Sequence, residues 1–183
     1  MKRVFTSLMA GGMALALSCG LATAQESPLS VMWGEWEGAA NGVGPDRQPF
    51  TLTQTERVGP MLDGEITVVE GRGYDDDGTV SFNAFGIISL NSQTGDYEMR
   101  SYMDGRSGTY PFRLTDDGYV WEIPAGPEAI VRYTAVIDET SWVEVGQYIA
   151  EGNPPIEVFR MELTRRGDTD WPSAGYLLPS AGE

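Results

Sequence analysis

The chain contains no histidine, one cysteine (Cys19) and one lysine (Lys2). Histidine is the commonest general base and the commonest haem and zinc ligand, and lysine supplies the amine for Schiff bases. Serine–histidine triads, histidine-ligated haem and His-Glu zinc sites are therefore excluded. Any catalysis would fall to Asp, Glu, Tyr or Arg. A lone cysteine gives no disulfide framework. We expect no cofactor, no metal centre, and no disulfide or haem partner.

Positive charge is also scarce. Twelve Lys and Arg stand against 27 Asp and Glu, for a formal net charge of −15. Such a surface repels nucleic acid and anionic membranes at long range. The acids are scattered rather than blocked, which fits solubility outside the cell better than a cationic partner. The one long, mostly apolar run is Val4–Leu17, broken by Thr6, Ser7, Gly11 and Gly12. No transmembrane segment is expected.

That run follows Lys2 and Arg3 and precedes Ala22, Thr23 and Ala24, the pattern of a basic start, an apolar stretch and a small-residue cleavage site. Residues 1–24 read as a signal peptide, with a mature start at Gln25 and a periplasmic or secreted product. Cys19 raises lipoprotein processing as a rival, but Ala16 stands where such sites usually carry Leu, and the Ala-Thr-Ala site lies downstream. Cleavage would leave 159 of the 183 residues, and the loss of Lys2 and Arg3 would take the charge to −17. A chain of that size is one domain.

What remains is rich in short β-prone runs separated by turn residues. Ser27–Trp33 reads as a turn into a first strand, Trp36–Asn41. Further strands are expected over Phe50–Val58 (interrupted by Gly59 and Pro60), Glu65–Arg72, Thr79–Leu90, Tyr97–Met103, Thr109–Leu114, Tyr119–Ile123, Ile130–Ile137, Trp142–Tyr148 and Ile156–Thr164. No sustained helical period is present. About ten strands in successive hairpins predict an all-β fold, an antiparallel up-and-down β-barrel over residues 25–166. A Greek-key sandwich is the alternative. Residues 167–183 form a Gly/Pro/Ser-rich tail, ordered only where Trp171, or Tyr176 and Leu177, dock.

Gly34, Glu35 and Trp36 resemble the Gly-x-Trp opening of lipocalins and related calycin barrels. The resemblance implies that an Arg near the end of the last strand covers that Trp and closes the base. Arg165 is the matching position, with a cation–π contact to Trp36 worth about 0.5–2 kcal/mol. Thr55-Glu56-Arg57, Glu70 to Gly73, Arg100-Ser101-Tyr102, Arg132-Tyr133-Thr134 and Trp142-x-Glu144-x-Gly146 are together similar to an uncharacterised bacterial family of lipocalin-like (calycin-like) barrels. That family implies a fold and no established activity.

Glu56, Glu70, Arg100, Arg132 and Glu144 fall within strands rather than at turn tips. If they point inward they must pair or meet a ligand, because unpaired buried charge is costly. We expect Arg100, Arg132 and at least one of the three glutamates inside, with Tyr102, Trp121 and Tyr148 completing a ligand site. Tyr97, Phe112, Tyr133 and Trp142 would add to the wall. No catalytic residue is assigned. The face of each strand depends on its turns. A three-residue turn after Ile137 puts Arg132 opposite Gly146, on the face of Glu144; a two- or four-residue turn puts it opposite Gln147 and separates the two.

Weaker signals are Asp75–Gly78, which lacks the downstream Glu of a calcium loop, and Arg166-Gly167-Asp168, a tripeptide short enough to recur by chance. Glu56 and Glu70 could serve glycoside hydrolysis if suitably spaced. The expected function is binding of a small hydrophobic or amphipathic ligand, an anionic one being gripped by Arg. The alternatives are an enzyme using Glu and Tyr acid–base chemistry in the cavity, and a non-catalytic structural or interaction module.

Overall fold

A computed structural model describes residues 27–44 and 46–171. The expected signal peptide, its cleavage site, and Tyr176 and Leu177 lie outside the described residues. Ten strands form one closed antiparallel barrel: β1 (Gly34–Val43), β2 (Pro49–Met61), β3 (Ile66–Tyr74), β4 (Val80–Leu90), β5 (Tyr97–Met103), β6 (Arg106–Leu114), β7 (Gly118–Gly126), β8 (Ala129–Ile137), β9 (Ser141–Ala150) and β10 (Ile156–Gly167). Each strand pairs with its sequence neighbours, and β1 pairs with β10 to close the ring. The up-and-down barrel expected from the sequence is the fold observed, and the sandwich alternative falls.

The alternation of the strands explains the closure. On β9, Trp142, Glu144 and Gly146 are buried, and the residues between them are less so. On β10, Met161 and Leu163 are buried and the residues on either side of them are less so. Period-two burial requires one face to point at the axis and the other to solvent. β2 runs through Gly59 and Pro60 rather than breaking there. The outgoing chain covers this corner: a Cβ on Gly59 would stand 2.6 Å from Thr169 Oγ1 and from Trp171 Cβ.

One end of the barrel is closed. A short 3-10 turn (Ser30–Met32) lies across it, burying Leu29 and Met32 with Trp36, Val58, Ile88, Phe112, Tyr119, Ile137, Trp142 and Leu163. Its geometry is fixed by Trp36 Nε1 donating to Met32 O at 2.9 Å and Trp33 Nε1 donating to Thr67 Oγ1 at 3.0 Å. Trp36 meets Trp142 edge-on at 5.7 Å, and Phe112 stacks on Tyr119 at 4.8 Å. Arg165 lies opposite Trp36 in register, with its guanidinium carbon 5.9 Å from the ring centroid, and donates from Nη2 to Trp33 O at 2.7 Å.

Toward the other end the inward residues are only half-buried, among them Phe50, Leu52, Phe82, Ala84, Ser101, Met103, Tyr110, Trp121, Ile123, Val131, Tyr133, Tyr148 and Phe159. Ten strands enclose a wider space than eight, whose interior side chains or one small ligand fill. Inward glycines keep this half uncrowded, because large neighbours lie flat over them. Tyr133 and Phe159 cover Gly146, where a Cβ would be 2.9 Å from Tyr133 Cε1. Tyr110 covers Gly108, and Leu52 with Phe82 covers Gly73. The barrel is therefore a cup, packed at its base and lined with aromatic faces toward its mouth.

Candidate functional site

Two carboxyl groups sit at the level where the packed base meets the half-buried wall. On β9, Glu144 follows Trp142 of the base and precedes Gly146 of the wall; on β2, Glu56 follows Gln54 and precedes Val58. Glu144 is 7% exposed and Glu56 9%. Both face inward because their partners in register do: Glu56 opposes Trp36 and Gly71, and Glu144 opposes Ala135 and Met161.

Glu144 Oε2 accepts from the Tyr119 hydroxyl at 2.6 Å and from Trp121 Nε1 at 3.4 Å. Glu56 Oε1 accepts from Gln54 Nε2 at 2.7 Å, and its carboxyl lies over Gly71, where a Cβ would come within 2.7 Å of it. The remaining oxygen of each carboxyl meets no donor among the described residues.

Burial governs their acidity. It pushes Glu56 up to about 8, against the Gln54 hydrogen bond and with help from the negative charges of Glu144 and Glu70. It pushes Glu144 up to about 6, against the hydrogen bonds from Tyr119 and Trp121. Near neutral pH one carboxyl thus holds its proton and the other is largely ionised. Tyr133 is pushed up to about 12 by burial and by Glu144, and Tyr119 is raised well above its ordinary value by the same two causes. Both phenols remain neutral donors.

An aromatic string lines the wall beside Glu144. Trp121 stacks on Tyr133 at 4.5 Å and 15°, Tyr110 stands 6.1 Å from Trp121, and Phe159 meets Tyr133 at 5.9 Å. The order Tyr110, Trp121, Tyr133, Gly146, Phe159 runs across five consecutive strands, β6 to β10.

Of the residues expected at the site, the structure brings Glu56, Glu144, Trp121 and Tyr148 to the inward face. It does not bring the other four. Arg132 is exposed and donates from Nε to Glu122 on the outer surface at 2.7 Å. A four-residue turn, 138–141, puts it opposite Gln147, so the expectation of Arg132 inside is corrected. Arg100 opposes Ile87 and Thr109 on the outer face of β5 and is exposed, and Tyr102, two residues on, is 48% exposed. Glu70 pairs with Arg72 outside the barrel. Expecting a charge inside because it occurs within a strand fails here, since outer strand faces carry ion pairs equally well. Glu56 and Glu70 stand on opposite faces of the sheet, Glu56 opposite Gly71 and Glu70 opposite Arg57, which does not favour them as a catalytic couple.

Gln54, Tyr119, Tyr110 and Phe159 were not assigned to the site from sequence. The signal was available for two: Gln54 shares the period-two face of Glu56, and Tyr119 that of Trp121.

Concavities are also formed at two other places among the described residues. A cleft of about 250 Å³ at the closed end is lined by Leu29, Met32, Leu114 to Tyr119 and Ile137. A groove of about 350 Å³ along β1–β3 is lined by Glu35, Trp36, Glu37, Thr55, Glu56, Arg57, Glu70, Arg72, Tyr74 and Arg166. Trp171 borders Arg57 there: the guanidinium lies 5.2 Å from its ring centroid. Among the described residues no helix is long and apolar enough to cross a membrane.

No protein-family model and no curated protein matches the chain. Among solved structures, Rv2717c from M. tuberculosis is similar at a TM-score of 0.57 and 17% identity, over 75% of this chain and 94% of that one. A protein of unknown function from the DUF3598 family of Nostoc punctiforme PCC 73102 matches at a TM-score of 0.25 and 6% identity, over 75% of this chain and 97% of that one. What the chain shares with the mycobacterial protein is its fold.

Proposed function

We propose that this chain is an exported, lipocalin-like barrel that binds a small, partly apolar ligand in its open half. The observation that carries the reading is the wall from Tyr110 to Phe159, half-buried and aromatic, above two carboxyl groups that each keep one oxygen without a donor. Binding pockets have this character: mostly apolar and aromatic lining, with a few polar groups that fix orientation. The calycin resemblance of Gly34 to Trp36 and of Arg165 supports the same reading, by analogy of fold. Export rests on the pattern of residues 1–24. An anionic ligand loses its support, because Arg100 and Arg132 face outward.

A second reading is favoured by one observation. Glu56 and Glu144 have acidities pushed apart, to about 8 and about 6, the arrangement an acid–base couple needs. It would make the bound molecule a substrate.

Native mass spectrometry of the protein purified from its own host tests the first reading. A co-purified small molecule, released on denaturation, is expected. A bare polypeptide mass together with no saturable uptake of any hydrophobe would leave the barrel a structural module.

A further inference from the structure

Building on the reading of the interior as a binding site, we infer that its occupant is an organic cation: an apolar amine whose ammonium group meets Glu144 and Glu56 and whose body lies against Trp121, Tyr133 and Phe159. The first ground is the sorting of charge across the wall. The two buried charged groups among the described residues are carboxyls. The arginines of the middle of the barrel, including Arg57, Arg72, Arg100 and Arg132, lie on the outer face, three of them in ion pairs with Asp or Glu. Arg165 is spent at the closed end on Trp33 and Trp36, and Arg106 pairs with Asp104 at the exposed rim.

The second ground is what the carboxyls still need. Tyr119, Trp121 and Gln54 are the donors that reach them, and all serve one oxygen of each group. A carboxylate in a low-dielectric site is stabilised by a charge-assisted donor far more than by a neutral one. An ammonium brings both the charge and up to three N–H donors. An alcohol brings one neutral donor, and a carboxylate ligand brings none and is repelled.

The third ground is the wall. Aromatic faces attract a cation through the negative charge above the ring, with Trp the strongest, and desolvation strengthens the contact. Trp121 and Tyr133 stack on one another beside Glu144, which presents an indole, a phenol and a carboxylate within one small region.

Proton linkage gives an independent signature. Glu56 is faced by Glu144 and Gln54 and feels the charge of Glu70 from the opposite face of the sheet; Glu144 is faced by Tyr119, Trp121, Tyr133 and Glu56. No cation is among these groups, so a bound ammonium acts against the burial that holds the Glu56 proton. Binding near neutral pH should therefore release protons to buffer.

Calorimetric titration with 2-phenylethylammonium, 2-phenylethanol and 3-phenylpropionate, three ligands of one frame and different charge, tests the inference. The amine should bind at least about tenfold more tightly than the alcohol, the worth of one charge-assisted contact, and the carboxylate more weakly than either. Glu144→Gln should remove most of the amine's advantage over the alcohol. Repeating the amine titration in buffers of different ionisation enthalpy should show proton release, absent in Glu56→Gln, so that a poorly folding Glu144 variant does not decide the matter. Equal binding of all three ligands, or tightest binding of the carboxylate, overturns the cation while leaving the binding role standing. Failure of all three, with a neutral dye still bound, does the same. Failure of the dye as well removes the binding role too.

Discussion

The Tyr119 hydroxyl donates a 2.6 Å hydrogen bond to Glu144 Oε2 from the packed base of the barrel. Tyr119 is 3% exposed, and its other neighbours are the rings of Phe112 and Trp142, so the bond joins the hydrophobic base to the polar floor of the cup. Removing the hydroxyl in Tyr119→Phe takes a donor from a group that is ionised above about pH 6. Urea unfolding should show a loss of about 1.5–3 kcal/mol at pH 8, where the acceptor is charged, and about 0.5–1.5 kcal/mol at pH 5, where it is not. Equal losses at both pH values would mean that Glu144 does not change charge between them.

Glu56 makes stability fall as pH rises. Its carboxyl titrates near its ordinary 4.5 when the chain is unfolded and near 8 when folded. Between those values the folded state holds a proton that the unfolded state has released, so unfolding gains ground with each pH unit, by at most about 1.4 kcal/mol. The contribution is fully present below pH 4.5 and lost by pH 8. Glu56→Gln cannot ionise and escapes this loss. Its melting temperature should match that of the parent near pH 4.5 and exceed it increasingly toward pH 8. A difference that does not depend on pH would contradict the assignment.

Arg132 and Arg165 should behave oppositely on truncation. Arg132→Ala breaks an exposed pair with Glu122 and should cost at most about 1 kcal/mol. Arg165→Ala loses the 2.7 Å bond to Trp33 O and the contact with Trp36, and should cost about 1–3 kcal/mol. Paired denaturation curves of the two variants decide the order.

Close strand contact at Gly38 is more restrictive than ring contact at Gly146. A Cβ on Gly38 would stand 2.0 Å from the Glu162 carbonyl oxygen, which is backbone of the neighbouring strand. A Cβ on Gly146 meets the Tyr133 ring at 2.9 Å, and that ring can shift. Gly38→Ala should therefore destabilise more than Gly146→Ala, whose cost should fall in the range of about 1–3 kcal/mol typical of overpacking. Gly146→Ala should also change the near-ultraviolet signal of the aromatic wall.

Strand count, order and closure were legible because ten β-prone runs alternate with Gly, Asp, Asn and Pro turns, and alternation is a local property. The inward face was legible only where the alternation itself is strongly apolar, as at Trp142, Met161 and Leu163. For Arg132 the deciding quantity was one residue of turn length. Asp138 sets it by accepting from the backbone N–H groups of Thr140 and Ser141 at 2.7 and 2.8 Å. That contact produces the four-residue turn and the Arg132–Gln147 register. Glu144 and Arg132 read alike as charges within strands, and only the register tells them apart.

Filling the cup tests the binding role most directly. Ser101 faces inward between Gly86 and Gly108, so Ser101→Trp adds an indole to the half-buried wall and replaces neither carboxyl. The measurement is a fluorescence titration with the neutral hydrophobe N-phenyl-1-naphthylamine, made on the parent, on Ser101→Trp and on the outer-face variant Arg132→Ala, each first shown to melt cooperatively. Saturable one-to-one binding to the parent and to Arg132→Ala, weakened at least about tenfold in Ser101→Trp, is expected of an interior site. Absence of binding to the parent, or binding untouched by the added indole, would contradict it.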